Sequence, residues 1–283
     1  MRYALSVPNF IPHALADGKP IDLFVGWARA AEQAGWDGFF IWDHILFWKP
    51  DPLHVFDPWV LMAAMAAATQ GIKLGPMVCP LPRRRPWKVA RETVTLDHLS
   101  QGRLILGVGI GAPLEAENTP FGEPDEMPRL ARRLDESLDV ITGLWTGEPF
   151  SYHGQQLNVD DVRFLPRPLQ EPRIPIWVAA LWPKHAPMRR AARWDGVFPL
   201  KMEATGVFGS MTPDDVREMR TYIGEHRTSR DPFDIVVGGG TRSKAHTDRY
   251  AEAGVTWWIE GADWFNYKSP EHILRRIEDG PPR

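Results

Sequence analysis

Cysteine is nearly missing from this chain. Cys79 stands alone, so no intrachain disulfide and no cysteine-based zinc site can form, and a reducing compartment is expected. Nor is there a run of the roughly 18 apolar residues that would suggest a membrane span. The opening stretch MRYALSVPNF lacks the apolar core of a signal peptide. An excess of one charge is missing too. The formal net charge of −3 without a polybasic tract argues against nucleic acid or an anionic membrane as partner. Histidines are scattered, and none shows HxH or HExxH spacing, so no catalytic metal is expected. Finally, no glycine-rich phosphate loop follows the first strand candidate, which counts against a doubly wound dinucleotide-binding sheet. The expectation is a cytoplasmic protein that handles small molecules.

What is present is an alternation. Short apolar runs at Tyr3–Asn9, Gly38–Trp42, Lys73–Val78, Leu104–Val108, Ile174–Ala180, Gly196–Leu200, Phe233–Gly238 and Val255–Ile259 read as strands. Helical patterns separate and follow them. Ile21, Phe24, Ala28 and Ala31 recur at helical spacing before a stop at Gly35, and further helices are expected near 57–69, 86–100, 128–144, 183–194, 213–227, 243–253 and 269–277. Eight βα units with right-handed crossovers close into a barrel. A length of 283 residues suits one such α/β domain over 1–283, since barrels of this type take about 250. The fold expected is therefore a (β/α)8 TIM barrel. One segment, Gly147–Arg173, breaks the rhythm and reads as an inserted β-hairpin before strand five with a proline-stiffened return.

In such barrels the chemistry sits on the loops after the strand C-termini. That rule selects Asp43 and His44 after strand two, an imidazole beside a carboxylate that could act as base or donor. Gly109–Ile110–Gly111 after strand four reads as backbone left bare for close approach of a flat ring. The run Arg83–Arg84–Arg85 reads as an anion site or, equally, as a surface basic patch, and receives no role. Cys79 reads as a small buried residue. A hydrolase would need two convergent carboxylates at strand ends, and only Asp43 is well placed in the sequence.

Several stretches resemble the luciferase-like monooxygenase superfamily: IWDHILFW (Ile41–Trp48), LGPMVCPLPRRRPWKVARETVTLDHLSQGRLILGVGIG (Leu74–Gly111), FLPRPLQEPRIPIWVAA (Phe164–Ala180) and AARWDGVFPL (Ala191–Leu200). The most specific part is TLDHLSQGRLILGVGIG. The resemblance implies a (β/α)8 barrel that binds FMN or the deazaflavin coenzyme F-420. It implies Asp43 and His44 near the ring system and a non-prolyl cis peptide at Pro76–Met77 behind it. It also implies ring and ribityl contacts from Gly109–Gly111 and Ala179–Ala180–Leu181, and Lys201 as a phosphate partner, with Gly239 and Arg242 as further candidates. His44 and Trp48 match a His–Trp pair of deazaflavin-dependent sugar-phosphate dehydrogenases, whose glutamate acid would fall at Ala112. Flavin members carry Gly-Gly or Gly-Ser where this chain has Ala180–Leu181–Trp182.

Three activities follow from the resemblance. The first is a monooxygenase using reduced FMN and O2 on a small organic substrate, with a separate flavin reductase as supplier. The alternative is coenzyme F-420-dependent hydride transfer, with His44 as acid or base and Trp48 near the reacting carbon. The third is a non-catalytic flavin-binding barrel. A homodimer is the expected assembly.

Overall fold

The apolar runs of the sequence become short parallel strands, most of them buried on both faces. In the computed structural model, which describes residues 1–11, 19–46, 53–203, 208–241, 243–261 and 270–282, eight of them form the barrel wall. They are β1 (Arg2–Val7), β2 (Gly38–Ile41), β3 (Lys73–Pro76), β4 (Leu106–Gly109), β5 (Ile176–Trp182), β6 (Gly196–Met202), β7 (Asp234–Gly239) and β8 (Trp257–Gly261). The order around the wall is β3-β2-β1-β8-β7-β6-β5-β4, parallel throughout. Around it lie α1 (Pro20–Gln33), α2 (Pro58–Ala68), α3 (Pro86–Leu99), the four-residue α4 (Leu114–Glu117), α5 (Met127–Trp145), α6 (His185–Ala191), α7 (Pro213–His226), α8 (Lys244–Ala253) and α9 (Pro270–Glu278). Proline opens α1, α2, α3, α5 and α7 within the first two positions, where its missing N–H costs nothing.

Two cores follow from the two faces of the wall. The larger packs strand side chains such as Leu5, Ile41, Leu106 and Val178 beneath the helices. The smaller lies inside the barrel, where Phe40, Trp177 and Trp257 stand with ring centroids 5.2–6.2 Å apart. Trp257 opens β8 and Trp177 is second in β5, so these rings plug the half of the barrel nearest the strand N-termini. The opposite mouth is left to smaller residues.

The wall is nearly closed, and the seam between β3 and β4 is where it closes. An isolated parallel bridge joins Leu74 to Leu104, with Ile105 N–H donating to the Leu74 carbonyl at 2.9 Å. The strands approach so closely that a methyl group at Gly75 would run into the Ile105 carbonyl oxygen, and one at Gly107 into that of Pro76. Beyond the seam, the chain after β3 changes partner. Met77 N–H still donates to the Ile41 carbonyl on β2 at 2.7 Å. Cys79 and Pro80 then pair with Val108 and Gly109 of β4. Strand three therefore ends at Pro76 rather than at Val78 as the apolar run suggests.

The non-prolyl cis peptide is Met77–Val78, one bond later than the Pro76–Met77 expected. The reason is the register: Met77 is still tied to β2, so the change of partner falls after it. Between α5 and β5, Phe150–His153 pairs antiparallel with Asn158–Val162. The buried Glu136 of α5 accepts the backbone N–H groups of Gln155, Gln156 and Leu157, each at 2.9 Å.

The seam generates a prediction. Gly75→Ala is expected to lower unfolding stability by about 1–3 kcal/mol, the usual cost of overpacking. Urea titration of the variant checks it, and an unchanged midpoint contradicts the seam as described.

Candidate active site

Asp43 and His44 follow β2 directly, and their loop is held by side chains from three other segments. Asn9, fully buried beyond β1, donates from Nδ2 to the carbonyls of His44 (2.7 Å) and Phe56 (2.8 Å) and accepts from His44 N–H at 3.1 Å. Aromatic rings pack against the imidazole, with Trp42 at 5.7 Å and Phe10 at 6.1 Å between centroids. Trp42 itself donates to Ser6 Oγ at 3.0 Å.

The two arginines after β3 come next. Arg83 and Arg84 are not a surface patch: their side chains are 6% and 18% exposed. Arg84 reaches both oxygens of the Asp43 carboxylate at 2.8 Å. Arg83 donates to the Asp43 carbonyl at 2.5 Å and to Glu117 Oε2 at 2.7 Å. The leucine, proline and arginine of residues 81–83 form a single tight turn, which turns both guanidinium groups inward. Arg85, by contrast, is exposed and lies over the Trp87 ring.

Glu117 is the residue that reading the strand ends missed. It lies on α4 and is 2% exposed. Its Oε1 accepts from the N–H groups of Ile45 (2.8 Å) and Leu46 (3.3 Å) and lies 3.1 Å from His44 Nδ1. That distance puts the ring within hydrogen-bond reach of the carboxylate. Burial pushes the Glu117 carboxyl upward, but hydrogen bonding to His44 and the charge of Arg83 outweigh it and hold the group below its ordinary 4.5. No sequence signal pointed to it, because a four-residue helix carries no periodicity.

The glycine rim joins the same cluster. A methyl group at Gly109 would stand 2.8 Å from Val78 Cγ2 and 3.3 Å from Ala179 Cβ. At Gly111, where φ is +96°, it would stand 2.9 Å from Pro80 Cβ and 3.8 Å from the Arg83 guanidinium. Bare backbone here is thus enclosed by Val78, Ala179 and Pro80, with Met77 Sδ near Gly107. The glycines thus let the end of β4 pack directly on these side chains. Ile110 flanks it, partly buried.

Other expected residues fall elsewhere. The Ala180 side chain packs in the helix-side core, so Ala179 and Leu181 alternate with it toward the barrel interior. Lys201, in register with Trp182, turns to α7, where Asp215 holds its ammonium at 2.8 and 3.0 Å. Pro76 is buried at the end of β3. Trp48 and Arg242 lie outside the described residues. Burial pushes the Cys79 thiol far up, which keeps it protonated. Among the described residues, no three His, Cys, Asp or Glu side chains are grouped to hold a metal ion. Nor is any described helix long and apolar enough to cross a membrane.

The family model described as luciferase-like monooxygenase matches residues 1–281. The chain belongs to that family. It is 29% identical over 265 residues to an F-420-dependent hydroxymycolic acid dehydrogenase of Mycobacterium tuberculosis, covering 92% of this chain and 69% of that one. It is 34% identical over 182 residues to an F-420-dependent glucose-6-phosphate dehydrogenase of Nakamurella multipartita, covering 64% of this chain and 50% of the other. The chain thus spans about half the length of that second relative. Among solved structures, an F-420-dependent secondary alcohol dehydrogenase in complex with an F-420–acetone adduct superposes with a TM-score of 0.77 at 15% identity, covering 99% of this chain and 98% of its own. A type II Baeyer–Villiger monooxygenase in complex with FMN superposes with a TM-score of 0.67 at 18% identity, covering 100% and 91%. These two likenesses speak for the fold. For this luciferase-like chain, the named relatives and neighbours are all oxidoreductases.

Two predictions come from the charge network. Asp43→Asn leaves buried guanidinium charge without its counterion and is expected to cost about 3–5 kcal/mol, read by urea unfolding. The second concerns acid. A carboxyl held below its unfolded value stabilises the fold fully above about pH 4.5 and loses that contribution as pH falls through its lower folded-state value. The Tm of Glu117→Gln should therefore fall less steeply below pH 4.5 than that of the unmodified protein, and parallel acid limbs would contradict this.

Proposed function

We propose that the chain is a dehydrogenase or reductase dependent on the deazaflavin coenzyme F-420, moving a hydride between that coenzyme and an alcohol or its carbonyl counterpart. One observation carries the reading: at the C-terminal ends of the strands, His44 is set beside the buried carboxylate of Glu117, which Arg83 balances. The two relatives named above support the deazaflavin over FMN, because F-420 dependence stands in their names. FMN is supported at the level of fold.

The backbone of Gly109, Ile110 and Gly111 would hold the ring on one side, with Ala179 and Leu181 facing it from β5. Met77 and Pro76 would lie behind it. Asp43 would serve the site through Arg83 and Arg84 rather than by touching the coenzyme. Lys201 is retained as a phosphate partner only by exchanging Asp215 for the phosphate. When bound, the deazaflavin supplies a two-electron hydride acceptor or donor that does not activate O2. Oxidation of an alcohol carbon releases one hydride and one proton, and His44 is the residue placed to take that proton. With Asp43 and Glu117 balanced by Arg83 and Arg84, proton uptake changes the buried network from neutral to singly positive. The aromatic neighbours Phe10 and Trp42 exclude water from the ring that carries that charge.

Neither carboxylate is at liberty to act as a hydrolytic acid or base, because arginines and backbone N–H groups already occupy them. That disfavours a hydrolase even though the structure provides the second carboxylate that the sequence did not reveal.

Titrating the purified protein with both coenzymes, oxidised and reduced, and following fluorescence tests the reading. Deazaflavin binding without FMN binding is expected, and the reverse overturns it. His44→Ala is expected to lower kcat by about 10²–10⁴-fold while coenzyme affinity stays. Full turnover in that variant would remove His44 from the chemistry.

A further inference from the structure

Glu117 is engaged more heavily than charge balance with Arg83 requires. Its Oε2 alone meets the guanidinium, at 2.7 Å. Its Oε1 faces three nitrogens of the neighbouring loop: Ile45 N–H, Leu46 N–H and His44 Nδ1, at 2.8, 3.3 and 3.1 Å. Arg83 extends the hold to the Asp43 carbonyl. Asn9 and the arginines hold Asp43 and His44, while Ile45 and Leu46 hang on the carboxylate delivered from α4. A structural staple would need the two amides only. The approach of Nδ1 to the same oxygen bears on chemistry, because in a neutral imidazole the proton resides on one nitrogen and the lone pair on the other.

We infer that Glu117 is a positioning residue that acts through His44, holding the ring proton on Nδ1 so that Nε2 carries the lone pair that accepts the substrate proton. Once Nε2 is protonated, the same carboxylate stabilises the imidazolium. No bond other than the N–H at Nε2 forms in this step, and the proton comes from the substrate hydroxyl. The role rests on the dehydrogenase reading for its substrate, but the tautomer does not. Among the described residues, the charged group against the imidazole is Glu117 from α4, and Arg83, Arg84 and Asp43 are tied into the same network. Phe10 and Trp42 supply the apolar sides. The two arginines oppose protonation of His44 and the two carboxylates favour it. Glu117 is the one in direct contact, so its removal should dominate.

The test uses the full chain without coenzyme, labelled with ¹⁵N-histidine, and reads ring nitrogen shifts across pH. Neutral His44 is expected as the Nδ1–H form, and Glu117→Gln is expected to mix the tautomers. An Nε2–H form in the unmodified protein overturns the inference, even if the variant does not fold. So does a tautomer balance identical in both proteins, which is the result for a loop staple alone. Because no coenzyme is present, these outcomes are independent of whether the deazaflavin or FMN binds.

Discussion

Asp43 and Glu117 can remain ionised inside the protein only because Arg83 and Arg84 lie against them. Isolated buried charges of this kind would be expelled or neutralised, at a cost of several kcal/mol each. Paired, they form a lattice in which Arg83 spans Asp43 and Glu117, Arg84 clasps the Asp43 carboxylate, and Glu117 collects the Ile45 and Leu46 N–H groups. The position of His44 is a consequence of that lattice. So is the position of Gly111, whose neighbours are Pro80 and Arg83.

The same stretch that carries the arginines also closes the barrel. After β3 the chain leaves its ladder with β2, passes Met77–Val78, and takes up a ladder with β4 at Cys79–Pro80. Val78 then stands against Gly109, and the arginines are delivered one turn later. Residues 73–84 thus contribute at once to the wall, to the packing around Gly109 and Gly111, and to the charge lattice. A change at the seam would be felt in the site, and a change in the site would be felt in the wall. Meanwhile the aromatic plug of Phe40, Trp177 and Trp257 fills the half of the interior nearest the strand N-termini.

Much of the fold was legible because it depends on local pattern. Alternating apolar runs and helical periodicities place all eight wall strands within about two residues of their observed ends, and proline and glycine mark most helix boundaries. Asp43, His44 and Gly109–Gly111 were legible because strand C-termini in a parallel barrel face one mouth. Glu117 was not, since it comes from a four-residue helix with no periodicity of its own. Arg83 and Arg84 looked like any run of surface cations, because sequence shows charge and not which way a tight turn aims it. Lys201 failed to join the cluster for a reason of register: paired with Trp182, it points to the helices.

The number of βα units, and the placing of Asp43, His44 and Gly109–Gly111 at strand ends, follow from the amino-acid order alone, since periodicity and residue type act over a few residues. Only the tertiary structure decided which charges meet. Ion pairs form between segments far apart in the chain, and their partners are chosen by where the closed wall brings β2, the turn after β3 and α4 within hydrogen-bond reach.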